Sequence, residues 1–77
     1  MKQITVFLRA PLFTPRDGAV APARAMVLTG ALLEEGLSGG LTISVQTWAD
    51  QDGKVLSAPP RTLFVPYAKI DHAALET

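Results

Sequence analysis

The single histidine of the chain, His72, follows Asp71 directly, and this pair is the one place in the sequence where acid–base chemistry could be built. General acid or base work needs a substrate or nucleophile held within hydrogen-bond reach of the imidazole. Ser38, Ser44 and Ser57 have no nucleophile-elbow motif around them, so they supply no such partner. The dipeptide therefore reads as a surface or capping pair, and the chain as non-enzymatic. Asp50-Gln51-Asp52-Gly53 has the start of a calcium loop, but the position that should hold a bidentate Glu is Arg61. It reads as a hairpin turn. Ser38-Gly39-Gly40 lacks the lysine and the length of a phosphate loop. With no cysteine and one histidine, a structural zinc site is not expected, nor is any cofactor.

Aromatic side chains offer a second kind of chemistry. Trp48, Phe64 and Tyr67 could stack on nucleic-acid bases, with Arg61 and Lys69 close to them in sequence. Arg61, Tyr67, Lys69 and His72 are accordingly the candidate binding residues. The competing assignment places aromatics in the core of a small domain or between subunits. On that assignment Phe13, Trp48 and Phe64 are the interface candidates.

Composition limits both readings. Seventy-seven residues make one domain, and a chain this short buries only about 60% of the surface its unfolded form exposes. No disulfide can reinforce it, and 48% of its residues are hydrophobic, so self-association is the simplest further source of stability. The formal net charge is zero, which gives no electrostatic reason to expect nucleic acid. The charges fall in blocks all the same. Residues 1–25 carry Lys2, Arg9, Arg16 and Arg24 against Asp17, whereas residues 26–53 carry Glu34, Glu35, Asp50 and Asp52 with no base. Residues 54–69 then carry Lys54, Arg61 and Lys69 with no acid. Blocks of this kind favour head-to-tail packing if they lie on opposite sides; otherwise they are a solvated exterior. The N-terminus is too polar for a secretory segment, and no apolar run approaches the roughly 18 residues of a membrane helix. A cytoplasmic protein without a membrane segment is the expectation.

The elements that must position these residues read as strands. Gln3–Arg9 is β-branched and aromatic, with Ile4, Val6 and Leu8 on one face and Phe7 on the other. Pro11, Pro15, Asp17-Gly18 and Pro22 then mark an irregular connection, long and apolar enough for a neighbouring chain to cover it. Arg24–Leu33 is a strand bent at Gly30, Glu34-Glu35-Gly36 a turn, and Ser38-Gly39-Gly40 a second break. Leu41–Trp48 alternates with period two and is the clearest strand in the chain. Asp52-Gly53 supplies the left-handed positions of the following hairpin. Lys54–Ser57 and Arg61–Val65 are one strand interrupted by Ala58-Pro59-Pro60. A short 3₁₀ turn at Val65-Pro66-Tyr67-Ala68 leads into a closing strand from Lys69 to Leu75, with a helical turn over Asp71–Glu76 as the alternative. Five or six short strands with no convincing helix predict an all-β barrel or small sandwich. Residues 1–23 give its first strand and proline-rich loop, and residues 24–75 its body.

From Arg24 to Leu75 the layout resembles an Sm-like small barrel. The likeness rests on the bent strand in Val27-Leu28-Thr29-Gly30-Ala31-Leu32-Leu33, the strand Gly40–Trp48, and the run Arg61–Leu75 with its one-turn interruption. It implies a strongly bent SH3-like barrel of five or six strands that forms a homo-oligomer, with a ring as the family's form. Many members bind single-stranded RNA, and an RNA-binding ring using Arg61, Tyr67, Lys69 and His72 is the alternative function. The chain departs from the family pattern in three places. It opens with a strand rather than a helix. Glu34-Glu35-Gly36 stands where the family has an Asp and an Asn, and Lys69 and His72 are three residues apart rather than adjacent. No residue inherits a role from the resemblance. The function expected is a non-enzymatic oligomeric binding or scaffolding module.

Overall fold

The computed structural model describes residues 2–16, 18, 21–35 and 39–76, with Glu35 by its backbone alone. Its strands are β1 (Lys2–Phe13), β2 (Arg24–Glu35), β3 (Gly40–Ala49), β4 (Val55–Leu56), β5 (Arg61–Pro66) and β6 (Ile70–Glu76). One turn of 3₁₀ helix, Tyr67–Lys69, joins the last two. All pairings are antiparallel, in the order β4-β3-β2-β1-β6, with β5 also on β3. β5 takes Gly40–Val45 and β4 takes Trp48–Ala49, so the two lie end to end on β3 as one interrupted strand.

The curl of the sheet follows from this connectivity. β5 and β6 lie at its two ends, four strand spacings or about 19 Å apart if the sheet were flat. Three residues of 3₁₀ helix join them, and these span only about 6 Å. The sheet must therefore bend back on itself. No ladder joins β5 to β6 among the described residues, so it bends without closing.

Ile4, Val6 and Leu8 of β1 pack with Leu28 of β2, Leu41, Ile43, Val45 and Trp48 of β3, and Val65 of β5. The bend at Gly30 coincides with a register slip between β2 and β3. A Cβ at Gly30 would overlap the Ser44 carbonyl oxygen and stand 2.9 Å from its carbon, so this crossing requires glycine.

Several boundaries differ from expectation, each for a local reason. β1 continues past Arg9 to Phe13, because an irregularity between Phe7 and Leu12 carries Pro11 through a stretch without a β2 partner. Glu34 and Glu35 are strand residues opposite Thr42 and Leu41, not a turn. Gly36 and Ser38 lie outside the described residues. Residues 70–76 are a strand throughout, without a helical turn. In the 50–53 turn only Gly53 is left-handed, at φ 85°, while Asp52 is not. Asp50 holds the turn instead: its Oδ1 accepts the backbone N–H groups of Asp52 and Lys54, each at 2.9 Å.

Thr14 closes the neck of the β1–β2 connection. It is 3% exposed, its N–H donates to the Ala23 carbonyl at 2.8 Å, and its hydroxyl accepts the Ala23 N–H at 2.9 Å. Thr14→Val keeps the shape and orphans a part-buried donor, a loss of about 1–3 kcal/mol. The variant is expected to melt several degrees lower and to be cut faster by trypsin after Arg16. Unchanged melting and cleavage would show that the neck contributes nothing. No described helix is long and apolar enough to cross a membrane.

Candidate functional site

His72 lies on β6 opposite Phe7, and its ring stacks on the phenyl group at 4.4 Å between centroids, inclined 13°. Its Nδ1 is 3.0 Å from Asp71 Oδ2, with both side chains about 60% exposed. A pair so open to solvent is screened and worth little. Asp71 is also the extra residue where the β1–β6 register slips, since Phe7 pairs with His72 and Leu8 with Ile70. The Arg9 Nε–H donates to the Ile70 carbonyl at 3.0 Å, which fixes the start of β6 at that slip. The histidine is thus held by stacking and a local carboxylate.

The four binding candidates do not converge. Tyr67 and Lys69 are exposed on the 3₁₀ turn, which is tied to Gly39 by a Tyr67 N–H···O bond of 3.0 Å, and His72 follows three residues after Lys69. Arg61 begins β5 opposite Val45, six residues before Tyr67, or roughly 20 Å along an extended strand. The three interface candidates divide as well. Phe13 is 70% exposed at the end of β1. Phe64 is half exposed on the outer side of β5, its ring over Gly40. Trp48 is enclosed in the core, 1% exposed, and its indole N–H donates to the Pro59 carbonyl at 3.2 Å. It has no surface to offer a neighbour.

Two features escaped the sequence reading. The first is β6 itself. Residues paired across a ladder point to the same side, so Leu75 opposite Ile4 and Ala73 opposite Val6 face the core side of the sheet. Both are nevertheless exposed, Leu75 by 50%, because none of the described residues lies over the end of the sheet. At the other end, Leu63 and Val65 of β5 face the same side and pack on the core. The second feature is a cleft of about 370 Å³ lined by Pro11, Arg24, Met26, Asp50, Gln51 and Asp52. Its lining comes from β1, β2 and the turn after β3, which no local pattern brings together. Among the described residues no three His, Asp or Glu side chains are grouped to hold a metal ion.

Comparison with known proteins finds no matching family model, no matching curated protein and no matching solved structure.

Proposed function

We propose that the chain is a small non-enzymatic scaffolding module that assembles with copies of itself through the edges of β5 and β6, as an SH3-like barrel of the Sm-like type. The observation that carries this reading is the pair of edges, one at each end of the curled sheet, that have no further strand partner among the described residues. An unpaired strand edge is a template for another strand. Laid antiparallel against β6 of the next copy, β5 sets Leu63 beside Leu75 and Val65 beside Ala73, all four on one side. Arg61 at one end of β5 then falls near Glu76 of β6, which carries the opposite charge. Two different edges meet in such a contact, so it propagates head to tail and ends in a ring if the rotation closes. The strand order and the single 3₁₀ turn between the last two strands support the Sm-like type.

An RNA-binding assembly is the second reading, favoured by the exposed Tyr67 and Lys69 on one turn beside Gly39. Light scattering behind a sizing column, across a range of salt, tests both. The expected result is a stable multiple of 8.2 kDa that survives high salt, since apolar association does not weaken there. Co-eluting nucleic acid that leaves steeply as salt rises would favour the RNA reading. A monomer at all concentrations would overturn the assembly.

A further inference from the structure

The cleft beside the 50–53 turn is lined by charges of both signs, Arg24 against Asp50 and Asp52. The last pair of the β2–β3 ladder is Val27 with Ala49. Beyond that pair β3 ends and residues 50–53 turn, with the Gly53 N–H donating to the Asp50 carbonyl at 3.0 Å, so Asp50 and Asp52 come from the turn while Met26 and Arg24 come from β2. These four residues, with Pro11 and Gln51, line an open cleft of about 370 Å³. That is near the lower end of the roughly 300–1,000 Å³ of small-molecule sites, so only a small ligand fits. Asp50 is immobilised, because two backbone N–H groups hold its Oδ1 and leave Oδ2 free. Among the described residues no ion pair joins Arg24 to Asp50 or Asp52, with which it lines the cleft. Pro11 and Met26 give the space between the charges an apolar lining.

We propose that this cleft binds a small zwitterion of the chemistry of a free α-amino acid with an apolar side chain. The ammonium group lies against Asp50 and Asp52, the carboxylate against the Arg24 guanidinium, and the side chain on Met26 and Pro11. An Arg–carboxylate contact takes two parallel hydrogen bonds, which orients the ligand as well as holding it. A simple anion meets two carboxylates here and a simple cation meets the arginine, so each half-ligand is penalised where the zwitterion is not. The proposal is independent of the assembly reading, since none of these residues belongs to β5 or β6.

The test is an amide-resolved NMR titration of the intact chain with L-leucine, leucinamide and N-acetylleucine. L-leucine is expected to shift the Arg24, Met26 and Asp52 amides saturably in the millimolar range, about −4 kcal/mol of binding at 1 mM. Leucinamide lacks the carboxylate and N-acetylleucine the ammonium, and each should bind at least about tenfold more weakly, a loss of 1.4 kcal/mol or more. Arg24→Gln should abolish the preference for leucine over leucinamide, and Asp52→Asn should weaken the preference over N-acetylleucine. Neither substitution touches the backbone bonds that Asp50 makes, so both variants are expected to fold. No shift with any of the three compounds overturns the proposal. Equal shifts with all three also overturn it.

Discussion

Gly30→Ala is expected to lower the melting temperature by on the order of 15 °C, and Gly30→Val to leave no soluble folded chain. The added Cβ at position 30 overlaps the Ser44 carbonyl oxygen, with Ser44 C at 2.9 Å and Val45 Cα at 3.0 Å. All three are backbone atoms of β3, so no side chain can swing away. Relief requires β2 and β3 to separate where the register slips and where Ile4 meets Gly30 from β1. Overpacking of this kind costs typically about 1–3 kcal/mol and sometimes more. A domain of this size holds about 4–12 kcal/mol in total, so the loss is a large fraction of its stability.

The comparison variant is Gly53→Ala. Gly53 has φ 85° and nothing within 4 Å of an added Cβ. Its cost is conformational alone, about 1–2 kcal/mol. Denaturant melts of the two alanine variants separate the causes. If Gly30→Ala proves as mild as Gly53→Ala, the two strands do not cross as closely at the bend as described.

Gly30 was legible because a glycine inside an otherwise apolar strand has few explanations. The alternation Leu41, Ile43, Val45 was legible for the same local reason, and it shows where such reading stops. Continued with period two it places Thr47 inward and Trp48 outward, which makes the indole a surface aromatic. The β2–β3 register slips between Thr29–Thr47 and Gly30–Val45, so Gln46 is an extra residue and the pattern changes phase. Trp48 turns inward, while Gln46 stays exposed with its amide on the Ser44 hydroxyl at 3.1 Å. One inserted residue thus moved the largest side chain from surface to core. Pro11 misled in the opposite sense, since it resembles a strand end yet lies where β1 needs no N–H on that side. The exposed side of β6 had no local signal at all. Ala73 and Leu75 carry the pattern of a half-buried strand, and only the position of β6 at the sheet's open end uncovers them. The distance from Arg61 to Tyr67 follows from β5 being extended between them, which shared charge and aromaticity do not express.

Leu75→Lys is the substitution expected to separate assembly from folding. Leu75 is already 50% exposed, so its replacement removes only part of a leucine's burial, about 1 kcal/mol, from the isolated chain. In the proposed contact the same position faces Leu63 of the next copy and is enclosed. A lysine there must leave its ammonium in an apolar seam, and an inward charge on an edge strand is how natural sheets prevent pairing. The expected product is a folded monomer with a cooperative melt, where the unmodified chain is an oligomer. Its β5 edge remains intact, however, and a head-to-tail contact uses one edge of each kind. Affinity-tagged L75K should therefore still capture untagged wild-type chains, each donating its β6. Adding it to the wild type should shorten the assemblies in proportion. If two β6 edges paired with each other instead, L75K would capture nothing, because the one edge such a dimer uses is blocked. If L75K remains an oligomer of unchanged mass, β6 takes no part in assembly and the exposure of Ala73 and Leu75 must serve something else. Circular dichroism of the same samples decides whether a monomer is a folded chain with a blocked edge or a chain that has lost its sheet.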